Sequence, residues 1–129
     1  MTHTMIKLPT ILFLISFSML AVIHVIALEL FLYWSISWFD IPVHFLGGSV
    51  VALGLFTLHD LRIYVKSRHL RPVPVVFIVL LVALAWEVFE IAAGVPIEAN
   101  YVIDTLTDIS MGILGGLVGY SVGTNVNKL

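Results

Sequence analysis

PVVFIVLLVALAWEVFE, residues 74–90, carries no charged side chain from Pro74 to Trp86 and then places two carboxylates, Glu87 and Glu90, three residues apart. A stretch this apolar reads as a helix built to sit in lipid. A carboxylate at bilayer depth costs several kcal/mol unless it finds a partner or a proton. The rest of the chain should therefore contain that partner, or the reason none is needed.

The composition agrees with the lipid reading. The chain has 129 residues, 60% of them hydrophobic and 11% charged, with a mean hydropathy of +1.12. A soluble domain carries roughly 25% charged residues. Runs of about 20 apolar residues, rising 1.5 Å each, cross a hydrocarbon core of about 30 Å. Four segments qualify, at about 10–32, 40–58, 74–93 and 101–122. The expected fold is thus an all-α integral membrane protein, a single domain of four transmembrane helices over residues 1–129. There is no internal repeat. The start MTHTMIKLPTILFLISFSMLAVIHVIALEL has the charge and greasiness of a signal peptide, but its apolar run is long and no small-x-small cleavage site follows. It is read as a retained first helix. A net charge of −2 gives no electrostatic footprint for nucleic acid, and with no cysteine there is no disulfide or thiolate chemistry.

Charge is sorted along the chain. The six basic residues, Lys7, Arg62, Lys66, Arg68, Arg71 and Lys128, fall where four spans would bring the two ends and the middle loop to one side. The positive-inside rule then expects both termini in the cytoplasm, with Trp34, Trp38 and Tyr101 at the opposite interface. The loop HDLRIYVKSRHLR, residues 59–71, reads as a topology determinant, with anionic lipid as a weaker contact. Of the eight acidic residues only Asp60 lies on the basic side; Glu29, Asp40, Glu87, Glu90, Glu98, Asp104 and Asp108 lie toward the other.

Depth and spacing bring these acids together. Counted from the outer helix ends, Asp104 lies about 4 Å in, His44 and Glu90 about 6–7 Å, and Glu87 and Asp108 about 10–12 Å, with Asp40 at the rim. Asp40 and His44 are i, i+4, Glu87 and Glu90 are i, i+3, and Asp104 and Asp108 are i, i+4, so each pair shares a helical face. Glycines continue two of these faces: Gly47 and Gly48 on the second span, Gly112, Gly115 and Gly119 on the fourth. Small residues let membrane helices approach closely, so these five are expected to pack the second span on the fourth. The third span would lend its glutamates to the same cleft.

Five carboxylates and one imidazole cannot crowd together fully ionised; either some hold protons or a cation neutralises them. Asp40, His44, Glu87, Glu90, Asp104 and Asp108 are therefore candidate ligands for a divalent ion. Manganese, iron or zinc suits a set that includes the imidazole, and magnesium or calcium suits an all-oxygen subset. No spacing here matches a diagnostic metal motif. Plainer roles compete: Asp40 before Ile41-Pro42 reads as a helix N-cap, Asp104 as a partner of the helix dipole, His44 as an interhelical hydrogen bond. Glu87 and Asp108 are too deep for capping. His24 and Glu29, five residues apart, do not share a face and stay outside the site, and Glu98 reads as a solvated loop residue.

The order WFDIPVHFLGGSV, then WEVFE, then YVIDTLTDISMGILGGLVG resembles the pattern of VanZ-like proteins and related small bacterial and archaeal membrane proteins. That pattern has Asp-x-x-x-His-Phe opening one helix, a Glu motif on the next, and Asp-x-x-x-Asp or Asp-x-x-x-Asn before a Gly-rich last helix. Asp40, His44, Phe45, Glu87, Asp104, Asp108, Gly112 and Gly115 fit it, across residues 38–119. Glu90 stands where a Gln is frequent, and Ile41 where a Lys or Arg is frequent. The resemblance implies a cell-envelope role, with the same architecture and site.

The leading expectation is a multi-pass cell-membrane protein with an outward-facing acidic and histidine cation site. Metal-dependent chemistry on a lipid or envelope precursor would follow from it. A different class, a small accessory subunit of a larger membrane complex, would instead aim the same residues at a partner. An ion or proton conduit would need a polar route past Gly48, Ser49 and Ser110.

Overall fold

A computed structural model of the chain describes residues 6–93 and 100–128. The described residues are helical, without strands. The order is α1 (Leu8–Glu29), the single-turn α2 (Leu32–Ser35), α3 (Asp40–Asp60), a 3-10 turn (Ser67–Leu70), α4 (Pro72–Ala92) and α5 (Tyr101–Val126). The four long helices are each long and apolar enough to cross a membrane. Glu98 lies outside the described residues.

The helix ends follow local chemistry. Pro9 and Pro72 sit in the first turns of α1 and α4, where a missing N–H costs nothing. The first span was expected to reach about Leu32 but stops at Glu29, because Phe31 takes a left-handed conformation with φ of 55°. A helix cannot run through that backbone, and the chain turns back into α2. Elsewhere the observed ends lie within a few residues of those expected, the largest extension being α5 to Val126.

The most extensive interface is α3 against α5, and glycine makes it. A Cβ on Gly48 would run into the Gly112 carbonyl, and one on Gly115 into the Phe45 carbonyl. Gly119 meets the Ser49 backbone at 2.6 Å in the same sense, Gly116 meets Val79, and Gly123 meets the Phe56 ring. The Ser49 hydroxyl donates to the Gly115 carbonyl at 2.8 Å across this seam. The pairs Phe45–Gly115, Ser49–Gly119 and Phe56–Gly123 advance together, so α3 and α5 run parallel. Their N-terminal ends, with Asp40, His44, Asp104 and Asp108, are therefore neighbours. The packing role expected of Gly47 does not hold: a Cβ there meets nothing within 4 Å. Successive helix residues point about 100° apart, which turns Gly47 off the seam and into a cavity.

A smaller core of Ala52, Leu55, Val75 and Val79 ties α3 to α4. Helix α1 packs on α3 yet buries only Pro9, Thr10 and Ala27, leaving Leu14, Ile15, Phe17 and Val22 exposed. That is the surface of a helix solvated by lipid. At the basic end Lys7 Nζ donates to Asp60 Oδ1 at 2.9 Å; the Asp60 side chain is 5% exposed and that of Lys7 53%. Lys7→Gln is expected to cost about 1.5 kcal/mol, discounted for the exposed ammonium. Reversible unfolding in mixed micelles measures it, and an unchanged midpoint would mean the pair contributes nothing.

Candidate functional site

At the end of the bundle away from the basic residues, three helices stack polar side chains in two tiers. The inner tier is His44 from α3, Glu87 from α4 and Asp108 from α5, all buried. One ligand atom from each lies within 4.8 Å of the others. The outer tier, one turn nearer the surface, is Asp40, Glu90 and Asp104, all half-buried. His44 joins the tiers, since it also clusters with Asp40 and Glu90 within 4.8 Å. Helical spacing at i, i+3 and i, i+4 produces this layering directly.

The inner tier is under-bonded. His44 Nε2 and Glu87 Oε1 are buried with no hydrogen-bond partner among the described residues. Glu87 Oε2 accepts a hydrogen bond of 3.0 Å from the Thr105 hydroxyl of α5. His44 Nε2 lies 3.4 Å from Asp40 Oδ1 and 3.9 Å from Asp108 Oδ2. Two ligands each about 2.1 Å from a tetrahedral ion stand about 3.4 Å apart; the His44–Asp40 separation equals that spacing and the His44–Asp108 separation is longer. An imidazole with two or three carboxylates fits the donor preferences of manganese, iron or zinc.

Among families of known sequence pattern, the one described as "Predicted membrane protein (DUF2238)" matches residues 1–128. The chain belongs to the DUF2238 family. No curated protein and no solved structure matches it.

In this DUF2238 protein the six candidate ligands do not form one shell. Asp104 joins neither cluster; it lines the outer pocket beside Asp40, Glu87 and Glu90, in the first turn of α5. The N-cap reading of Asp40 gives way, because α3 is capped at Phe39 without a side-chain bond and Asp40 faces His44 instead. Glu90 Oε1 accepts from Trp86 Nε1 at 2.9 Å.

Residues outside the expected set complete the mouth. The turn at Phe31 folds α2 back so that Tyr33 Oη and His24 Nδ1 share a hydrogen bond of 2.8 Å. The His24 ring also meets the edge of Trp86, with centroids 5.8 Å apart. Burial, then the negative charges of Asp40 and Glu90, push the Tyr33 hydroxyl up to about 12, so it stays a neutral phenol. A cavity of about 360 Å³ runs from this mouth past Gly47 into the bundle, and a second of about 440 Å³ opens above it. His24 was legible only as a lone mid-helix histidine, since its partner Tyr33 lies beyond a turn the sequence did not announce.

Proposed function

We propose that this DUF2238 protein is a divalent-cation-binding protein of the cell envelope, with its site on the outer side of the membrane. The observation that carries the reading is the inner tier: His44 Nε2 and Glu87 Oε1, buried and without a hydrogen bond among the described residues, converging with Asp108. Buried polar atoms without partners cost about 1–3 kcal/mol each and more when charged. A cation shared by three ligands removes that cost for all of them at once. His44, Glu87 and Asp108 hold the ion, Thr105 orients Glu87, and Asp40 flanks the imidazole. A bound ion of this kind supplies Lewis-acid activation of water, or polarisation of a phosphate or ester oxygen on a lipid or envelope precursor. The outward orientation rests on the six basic residues lying at the opposite end. The VanZ-like pattern of Asp40, His44, Glu87, Asp104 and Asp108 supports a cell-envelope setting.

The same inward burial favours the cation reading over an accessory subunit, whose polar side chains would face a partner. A conduit is also less well supported. The Ser49 hydroxyl is spent on α5 and the Ser110 hydroxyl on its own helix, and beyond Gly47 the side chains of the cavity wall are hydrocarbon, among them Leu20, Val50, Val51 and Val79.

The test is calorimetric titration of manganese and zinc into chelator-stripped protein. One ion per chain is expected, with affinity about ten- to a hundredfold weaker in Thr105→Val, which removes only the orienting hydroxyl. No saturable heat from either ion would overturn the proposal.

A further inference from the structure

The polar mouth and the apolar cavity adjoin, with His24, Tyr33, Asp40, Trp86 and Glu90 lining both. Below them the wall is hydrocarbon: Leu20 from α1, Val43, Val50 and Val51 from α3, Val79 and Ala83 from α4. Along α4 the lining runs from Val79 to Glu90, about 16 Å at the helical rise. That is the reach of a medium-length alkyl chain.

This space opens sideways. Helix α1 packs on α3 and α4 packs on α5, while α1 and α4 make little contact with each other. Phe17 and Ala21 on one bank, and Val82 and Trp86 on the other, line the cavity and are also exposed. The His24–Trp86 edge contact bridges the gap at the polar end only. In a membrane the neighbour at such an opening is lipid.

The charge at the mouth selects the head. Among the described residues no lysine or arginine lines the mouth or the cavity. Four carboxylates, Asp40, Glu87, Glu90 and Asp104, line the space against the imidazoles of His24 and His44, the latter 3.4 Å from Asp40, so the mouth is acidic beside the rings of Tyr33 and Trp86 without an ion as well. Carboxylates together with aromatic faces are the chemistry that recognises an alkylammonium nitrogen, through charge and cation–π attraction. An anionic head would meet two like charges.

We propose that the space between α1 and α4 binds a cationic amphiphile from the bilayer, its amine at Asp40, Glu90, Tyr33 and Trp86 and its single chain in the cavity that runs past Gly47. The ion on the inner tier is not required for this, so the two readings fail separately.

Native mass spectrometry of the protein from uncharged maltoside micelles, in the presence of chelator, tests it. Dodecyltrimethylammonium is expected to bind saturably at one per chain. Tetramethylammonium, which lacks the chain, and an uncharged dodecyl ether, which lacks the charge, are each expected to bind at least about tenfold more weakly. Asp40→Asn/Glu90→Gln lowers affinity for the ammonium probe about tenfold. Gly47→Leu, placed where an added side chain meets open space, fills the cavity and removes the advantage of the chain, while ion binding at the inner tier persists. Equal binding of the ether and the ammonium, native affinity in both folded variants, or no retained ammonium probe would each overturn the proposal.

Discussion

Gly48→Val is expected to leave little folded protein in detergent, whereas Gly47→Ala, one residue away, behaves as the native chain. The difference is one of direction. A Cβ on Gly48 falls on the Gly112 carbonyl and 2.9 Å from the Gly116 nitrogen, and both are backbone that cannot rotate aside. Relief requires α3 and α5 to separate, which also breaks the Ser49–Gly115 hydrogen bond and opens the largest interface in the bundle. Overpacking an ordinary core costs about 1–3 kcal/mol, and a clash of two backbones exceeds the top of that range. Gly47→Ala meets nothing within 4 Å and is expected to stay within about 0.5 kcal/mol of the native protein. Size-exclusion profiles and unfolding midpoints in the same detergent decide the matter. Equal behaviour of the two variants would contradict the α3–α5 seam.

The second large effect is a reversal of order with metal. In chelator, Glu87→Gln/Asp108→Asn is expected to be more stable than the native protein by about 1–2 kcal/mol, because it removes two desolvated, neighbouring carboxylates. With manganese or zinc at about a hundred times the dissociation constant, the native protein gains about 2.7 kcal/mol. The variant gains nothing, and the order inverts. A variant less stable than native under both conditions would mean that the carboxylates are satisfied by protein groups alone.

The four spans were legible because hydrocarbon thickness sets a length that apolar runs must meet, and α1, α3, α4 and α5 meet it. The polar faces were legible for a similar reason: Asp40–His44, Glu87–Glu90 and Asp104–Asp108 repeat at helical spacing, which fixes direction and relative depth. Spacing could not show how three faces meet. The division into a buried tier and a half-buried tier depends on how closely α4 approaches α5, and that is set by Gly116 against Val79. The distinction between Gly47 and Gly48 was hidden because small residues on one turn look alike until a partner helix is present. His24 shares no helix face with another ionisable residue, and its neighbours are Tyr33 and Trp86, on other elements. The hinge that delivers Tyr33 is Phe31, a residue type that rarely adopts positive φ and so gives no turn signal.

The central claim, that the inner tier holds a cation, is tested most directly by metal content. Elemental mass spectrometry is run on protein purified in mild detergent without added metal or chelator, with Glu87→Gln/Asp108→Asn beside it. A single divalent metal near one equivalent in the native protein, and absent from the folded variant, is the predicted result. Native protein free of metal, which also fails to take up manganese, iron or zinc when offered them, would contradict the claim.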